Sequence, residues 1–418
     1  MLVVFVHGWS VRHADYGALP SRLKQFSDTV DVRLSDYISY SDQVTMDDLV
    51  QAFERARLAQ FPDQEFACVT HSTGGPVLRT WLTRHYAGDA AGRCPLTHLI
   101  MLAPPNHGSA LAQLGRSRLS RMKFWLQGCE PGVKILDALE LGSDANWQLN
   151  LASLQIDWAA RGVYLFVLAG SAIDSAFYDH LNSYTGERGS DGVVRVASAN
   201  LNFSSLRLEQ SEAALVVKNV ARSPEAATII LPEQSHCGSA KGILAGIPPV
   251  AGSPVVRWVE RCLKVATPDG YGEVVAESEK THEGVHSPCS MIAFRVIDSR
   301  GMPLEDYDLL LTGGPDYSPD ELPKGFFMDR QRNQRLPHVL TYYLDHTAMS
   351  RSPQLGFRLI PRPDSGPVQF ACAEFKGDLA TVEAVLGPHQ TALVEIVLER
   401  RLEPSVFKIS EMEPPSHP

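Results

Sequence analysis

The chain opens on an unbroken apolar run, Leu2–Val6, that ends in His7-Gly8. A run without alternation predicts a strand buried on both faces. Val30–Leu34 repeats the signature more weakly. Thr45 and Asp48 form a capping-box pattern, and Met46, Leu49, Val50 and Phe53 follow at helical spacing until Pro62 closes the segment. Glu65–Thr70 predicts a strand, and Val77, Leu78, Trp81 and Leu82 predict one face of a helix. Thr97–Ala103 is a further apolar strand, stopped by Pro104-Pro105, and Val163–Ala169 and Thr228–Leu231 repeat it. Ser253-Pro254 reads as an N-cap with proline at the first helical position, followed by Val255, Val256, Val259, Cys262 and Leu263. Strands alternating with helices predict an α/β fold with a mostly parallel sheet covered on both faces.

Two stretches break this rhythm. Residues 106–157 insert about fifty positions between two core strands, a length more typical of a functional lid than of a plain connection. The insertion mixes Leu111, Leu114, Leu119, Met122, Phe124, Trp125 and Leu126 with Arg116, Arg118, Arg121 and Lys123. The bland alternative is a helical excursion packed on the sheet. Residues 267–288 are rich in Gly, Glu, Ser and His and read as a linker. Beyond it the period changes to short strands: Ser290–Ile297, Asp306–Leu311, Val339–Leu344, Gly356–Ile360, Val368–Phe375 and Thr391–Leu398. Such a series without a helix predicts a small β-sandwich. The expected division is therefore an α/β domain over 1–266, a linker over 267–288, an all-β domain over 289–402 and a tail over 403–418.

Composition narrows the function. Hydrophobic residues at 44% and charged residues at 21% exclude a mostly disordered chain. Thirty-eight basic against 48 acidic side chains argue against a nucleic-acid partner, which needs a basic face. Seven scattered cysteines (68, 94, 129, 237, 262, 289, 372) without a CxxC pair fit reduced thiols better than a disulfide framework or a zinc site. Turn aspartates such as Asp298, Asp306, Asp308, Asp316 and Asp320 lack calcium-ligand spacing, so neither metal nor cofactor is expected. The first residues lack the basic region and cleavage site of a signal peptide, so synthesis in the cytoplasm is expected, with export requiring a signal-independent route.

The strongest chemical signal is Val69-Thr70-His71-Ser72-Thr73-Gly74-Gly75, between a predicted strand and a predicted helix. A serine on a tight strand-to-helix turn is presented at the sheet edge above a helix N-terminus, whose N–H groups and positive partial charge favour an anion. Alone, Ser-x-Gly-Gly is more often a helix cap than a nucleophile. A serine also needs a base to take its proton and an acid to orient that base. Asp191, in Gly189-Ser190-Asp191-Gly192-Val193-Val194, and His236, in Glu233-Gln234-Ser235-His236-Cys237-Gly238, both follow predicted strands, in the order Ser–Asp–His. Asp174 is the second candidate for the acid. His71 reads as packing, His107 as pocket wall, and His7 as support for the loop after the first strand.

Val6-His7-Gly8-Trp9, His71-Ser72-Thr73-Gly74-Gly75, Pro104-Pro105-Asn106-His107-Gly108-Ser109, Ser190-Asp191-Gly192-Val193-Val194 and His236 together resemble the α/β-hydrolase lipases over about residues 1–265. The likeness is greatest to the bacterial lipase, lecithin:cholesterol-acyltransferase-like and GPI-inositol-deacylase-like branches. It implies a carboxylester hydrolase working through an acyl-enzyme, with Ser72 as nucleophile, His236 as base and Asp191 as orienter. It also implies an oxyanion hole from the N–H groups of Trp9 and Thr73, supported by His7, Gly8, His71 and Gly74. Thr70 departs from the usual first elbow glycine. Arg118, Arg121, Phe124 and Trp125 in the insertion suit a substrate with an acyl tail and a phosphate head, reached at a membrane surface. A soluble short-chain ester, acyl transfer to an alcohol, and a catalytically silent binding module are the alternatives. Either an intracellular esterase or an antibacterial effector of a contact-dependent (type VI) secretion machine fits, the latter with the all-β domain engaging a carrier or immunity protein.

Overall fold

The computed structural model describes residues 1–8, 16–26, 30–36, 41–88, 94–112, 132–173, 188–248, 252–283, 285 and 288–411. Strands β1 (Leu2–Val6), β2 (Asp31–Leu34), β3 (Phe66–His71), β4 (Leu96–Leu102), β5 (Tyr164–Gly170) and β8 (Ala227–Leu231) form one parallel sheet in the order β2-β1-β3-β4-β5-β8. Residues alternate between its faces, which is why both parities of the central strands are apolar, whereas the edge strand β2 exposes Asp31 and Arg33. Leu2, Val4, Val6 and Cys68 face α2 (Met46–Gln60) and α3 (Gly74–Tyr86), whose Leu49, Val50, Leu78 and Trp81 are buried there. Val3, Phe5, Ala67 and Val69 face α1 (Leu19–Phe26) and α6 (Pro254–Leu263). The Thr45–Asp48 capping box is formed, with Asp48 N–H donating to Thr45 Oγ1 at 3.1 Å and Thr45 N–H to Asp48 Oδ2 at 2.9 Å.

The expected linker is corrected in its first half. Thr267 caps α7 (Pro268–Glu279), which carries Tyr271 and Val274 into the core beneath β5 and β8. Gly270 and Gly272 hid this helix, because their lack of side chains interrupts the apolar spacing. The expected lid is corrected in its second half. Residues 133–139 and 144–153 form α4 and α5, and Ile135, Leu136 and Leu139 belong to the sheet's own core. The proposed lid positions Leu114, Arg116, Arg118, Leu119, Arg121, Met122, Lys123, Phe124, Trp125 and Leu126 lie outside the described residues.

The second body is all-β and mixed. Its nine strands run β10-β13-β15-β7-β6-β16-β9-β12-β11. The members are β6 (Phe203–Ser211), β7 (Ala214–Arg222), β9 (Cys289–Asp298), β10 (Tyr307–Gly313), β11 (Phe327–Arg332), β12 (Val339–Asp345), β13 (Gln354–Pro361), β15 (Ala373–Asp378) and β16 (Thr391–Leu398). The expected strand Val368–Phe375 is divided into β14 (Val368–Gln369), which pairs separately with β17 (Arg401–Leu402), and β15. The sheet curls until its halves meet. Phe294 of β9 contacts Phe357 of β13 with centroids 5.0 Å apart, and Tyr342 Oη of β12 donates to the Leu309 carbonyl of β10 at 2.5 Å. This gives a sandwich around one apolar core.

The expected domain boundary does not hold as a cut in sequence. β6 and β7 lie between β5 and β8 of the parallel sheet, yet β6 pairs parallel with β16 over seven residues. The C-terminal strands therefore complete a sheet begun by the hydrolase half. Trp147 of α5, Phe203 of β6, Ala293 of β9 and Leu393 of β16 close the joint as a shared cluster. Truncation after residue 288 is expected to leave β6 paired with β7 alone, without β16, and to leave Leu206 and Leu208 uncovered. The product should be insoluble or lack hydrolysis of a soluble short-chain ester. A folded, active truncation, judged by circular dichroism and turnover, would show that the joint is dispensable.

Candidate active site

β3 ends at His71 and α3 begins at Gly74, so Ser72 and Thr73 make the entire turn. Ser72 has φ +53°, a left-handed conformation that a side chain disfavours. Its N–H donates to the Leu102 carbonyl at 2.9 Å and its own carbonyl receives the Gly75 N–H at 3.0 Å, which holds the conformation from both sides. Crowding dictates two glycines. A Cβ at Gly8 would stand 2.6 Å from Ser72 Cβ, and one at Gly74 would stand 2.5 Å from the Val6 carbonyl oxygen and 3.3 Å from Thr70 Cβ. Gly74 thereby makes the room that Thr70 occupies in place of a smaller residue.

Ser72, His236 and Asp191 are brought together from three separate loops at one sheet edge. His236 Nε2 lies 3.1 Å from Ser72 Oγ, and His236 Nδ1 lies 2.9 Å from Asp191 Oδ2. An ionised carboxylate only accepts, so Nδ1 carries the proton and Nε2 presents its lone pair to the serine. The second carboxylate oxygen, Oδ1, accepts the N–H groups of Val193 at 2.9 Å and Val194 at 2.7 Å. The His236 N–H also donates to the Asp191 carbonyl at 3.0 Å, so base and acid are joined by main chain as well as side chain. Asp174, the other candidate acid, and Trp9 lie outside the described residues. Thr73 is fully buried at the N-terminus of α3.

Three imidazoles stand in a row. The His7 and His71 ring centroids are 4.8 Å apart, and those of His71 and His236 are 4.9 Å apart. Burial, and then the charge of His236, lowers the His7 pKa to about 3. Burial likewise holds His71 well below the usual histidine range, with His7 and His236 adding to it. Both rings are therefore neutral at ordinary pH. His71 does more than pack, since its Nε2–H donates to the His236 carbonyl at 3.3 Å and fixes the main chain that carries the base. His7 Nδ1 accepts the Gly8 N–H at 2.7 Å.

The acid loop is braced from the all-β body, which sequence reasoning missed. Tyr343 Oη of β12 donates to the carbonyls of Arg188 at 2.7 Å and Gly189 at 3.2 Å. The Arg195 guanidinium sits 4.3 Å over the Tyr343 ring and pairs with Asp329 of β11. Thr391 Oγ1 of β16 donates to the Ala197 carbonyl at 2.7 Å, and Asn200 Nδ2 donates to the His389 carbonyl at 2.7 Å. From below, Ser109 Oγ donates to the Val193 carbonyl at 2.7 Å. His107 is buried against Phe203 and bonded to Asn150, so it is part of this joint and not a pocket wall. Arg79 of α3, buried without a carboxylate, bonds Asn106, Asn150 and Ser153, and burial lowers its pKa to about 9. No local motif announces these partners, because more than a hundred and fifty residues separate Tyr343 from the loop it holds.

Among the described residues no three metal-ligating side chains converge, and no helix is long and apolar enough to cross a membrane. The six described cysteines are free thiols; Cys129 lies outside the described residues.

A parallel sheet with a strained serine at a strand–helix turn, facing a histidine and a carboxylate from later loops, defines an α/β-hydrolase of the serine-esterase class. No protein-family model matches the chain, and no curated protein does. Solved structures do. Phospholipase PlaB from Legionella pneumophila is 43% identical with a TM-score of 0.94, covering 100% of this chain and 97% of that one. The same enzyme in complex with thio-NAD matches at 43% identity and a TM-score of 0.93, over 100% and 98% of the two chains. The mature lipase BlEst2 from Bacillus licheniformis is 20% identical with a TM-score of 0.37, over 47% of this chain and 78% of that one. The chain belongs to the PlaB phospholipase family.

Tyr343→Phe removes the hydroxyl that donates to the Arg188 and Gly189 carbonyls, a change of about 1 kcal/mol. It is expected to lower kcat on a soluble ester about fivefold with KM within twofold. An unchanged kcat with only a lower Tm would mean that the brace does not reach the relay.

Proposed function

We propose that the chain is a phospholipase that cleaves a carboxylic ester of a membrane phospholipid through an acyl-enzyme on Ser72. The reading is carried by the continuous hydrogen-bonded path Ser72–His236–Asp191, at 3.1 and 2.9 Å. The full-length likeness to PlaB supports the choice of phospholipid as substrate.

Ser72 Oγ attacks the ester carbonyl carbon while His236 Nε2 takes the hydroxyl proton. Asp191 stabilises the resulting imidazolium through Nδ1–H, and the two loop N–H groups on Oδ1 keep the carboxylate in place. The carbonyl oxygen becomes an oxyanion facing the N-terminus of α3. There the N–H of Thr73 supplies a donor worth about 3–4 kcal/mol in the transition state. The carbon–oxygen bond to the glycerol side breaks, and the leaving alkoxide takes the proton from His236. Water then attacks the acyl-serine and gives its proton to His236; the acyl–oxygen bond breaks, Ser72 Oγ takes that proton back, and a fatty acid is freed. The neutral His71 beside the base holds its carbonyl without adding a competing positive charge.

Ser72→Ala should leave a folded protein with hydrolysis at background. Asp191→Asn should reduce kcat by about 10^3–10^4-fold through loss of the correct histidine tautomer. The measurement is release of fatty acid from phospholipid vesicles, triacylglycerol and short and long p-nitrophenyl esters by wild type and both variants. Release from vesicles by wild type alone is expected. Activity confined to short soluble esters would overturn the phospholipid assignment, and turnover by Ser72→Ala above a few percent would overturn the nucleophile.

A further inference from the structure

The sandwich contains a cavity of about 380 Å3 with an almost wholly apolar wall. Leu206, Phe294, Leu311, Phe357 and Val394 line it from five strands, and Val382, Val385 and Leu386 close it beyond β15. Apart from Gly356, the Met349 thioether and the Thr381 hydroxyl, the lining side chains are hydrocarbon, so among the described residues no ionisable group faces the space. Buried water needs two to four polar partners, which this wall does not offer, and an empty apolar void is destabilising in proportion to its volume. The chemistry therefore selects a hydrocarbon occupant. The volume is about two and a half times the ~150 Å3 cavity that accommodates one benzene, which sets the capacity at one chain of about fifteen carbons.

The sheet is open at the same place. β7 pairs with β15 at a single position, Glu374 with Ala214, and then the strands part. A bulge at Lys218 sets Val217 opposite Leu208 and Val220 opposite Leu206, so both valines face the core side of the sheet. They are nevertheless 41% and 46% exposed, on the strand that has parted from β15. Inward-facing apolar side chains that see solvent mark a mouth. Its rim is cationic on β7: Lys218 is exposed at the bulge, and Arg222 reaches across the gap to donate to the Ala384 carbonyl. Across it, Glu383 is already engaged by Ser350 and Glu374 by Arg358.

We propose that this cavity is a second lipid site, one that binds a single fatty acid with its chain inside the sandwich and its carboxylate at Lys218 and Arg222. The site is separate from the ester-cleaving centre and does not depend on the reading of that centre. It also shares strands with the brace of the acid loop. Leu344 and Ala392 line the cavity, while their neighbours Tyr343 and Thr391 hold residues 188–197.

The test is displacement of the fluorescent polyene cis-parinaric acid from full-length Ser72→Ala protein by saturated fatty acids of eight to eighteen carbons. The expected result is one site per chain. Affinity should rise about fourfold per added methylene until about fifteen carbons and then level off. Val217→Trp and Val220→Asp, both at exposed positions, should each weaken binding tenfold or more, the first by filling the mouth and the second by repelling the carboxylate. In the Ser72 background both should leave Tm and p-nitrophenyl butyrate hydrolysis unchanged. Palmitate should displace the probe at least tenfold better than palmitoyl-lysophosphatidylcholine. The reverse order would overturn the fatty-acid assignment in favour of a lysophospholipid. Absence of saturable displacement would overturn the site itself. So would displacement untouched by both substitutions, or binding abolished in wild type by a serine-reactive phosphonate.

Discussion

Asp191 is fixed by its own loop before it meets the histidine. Its Oδ1 is taken by two consecutive main-chain N–H groups, its carbonyl receives the His236 N–H, and Oδ2 alone is left for the imidazole. Main-chain donors turn only with their peptides, so the carboxylate points where residues 191–194 point. Everything that sets the relay then reduces to what sets that loop. The loop is gripped from two sides: Ser109 and Asn106 from the hydrolase body, Tyr343 and Thr391 from the all-β body.

This makes the molecule one catalytic unit built from two sheets. The parallel sheet presents Ser72 by the ordinary device of a strained turn between strand and helix. The mixed sheet contributes no reacting group. It holds the acid loop through one tyrosine hydroxyl, one threonine hydroxyl and an arginine stacked on the same tyrosine. The parallel pairing of β16 with both β6 and β9 ties that sheet to the hydrolase half, since β6 leaves the parallel sheet's own connection to join it. Preorganisation of this kind keeps the relay aligned without reorganisation at each turnover.

What was legible in the sequence is what local chemistry dictates. The parallel strands are continuous apolar runs because both faces are buried, so Leu2–Val6 and Thr97–Ala103 announced themselves. Thr45 and Ser253 announced their helices by caps. The relay residues stood out because the turn at Ser72 and the loops at Asp191 and His236 each follow such a run. Three things were not legible. The helix 268–279 was disguised by two glycines on a surface otherwise buried through Tyr271 and Val274. The strands 203–211 and 214–222 read as parts of the first domain by position, although the hairpin they form joins β16, nearly two hundred residues later, through its first strand. Tyr343 carries no mark of its role, since a buried tyrosine hydroxyl satisfies any nearby carbonyl. From the sequence His71 reads as packing, because the residue before the serine points elsewhere in such a turn, and the carbonyl it binds belongs to residue 236.

The central claim is that the acid loop and the mixed sheet are one cooperative structure. Native-state hydrogen exchange on the full chain tests it most directly, by comparing the opening free energy of amides at 191–200 with those of β9, β16 and β4 under increasing denaturant. The acid-loop amides are expected to open together with β9 and β16, at one free energy and with one denaturant dependence. Acid-loop amides that stay protected with β4 after β9 and β16 have opened would contradict it.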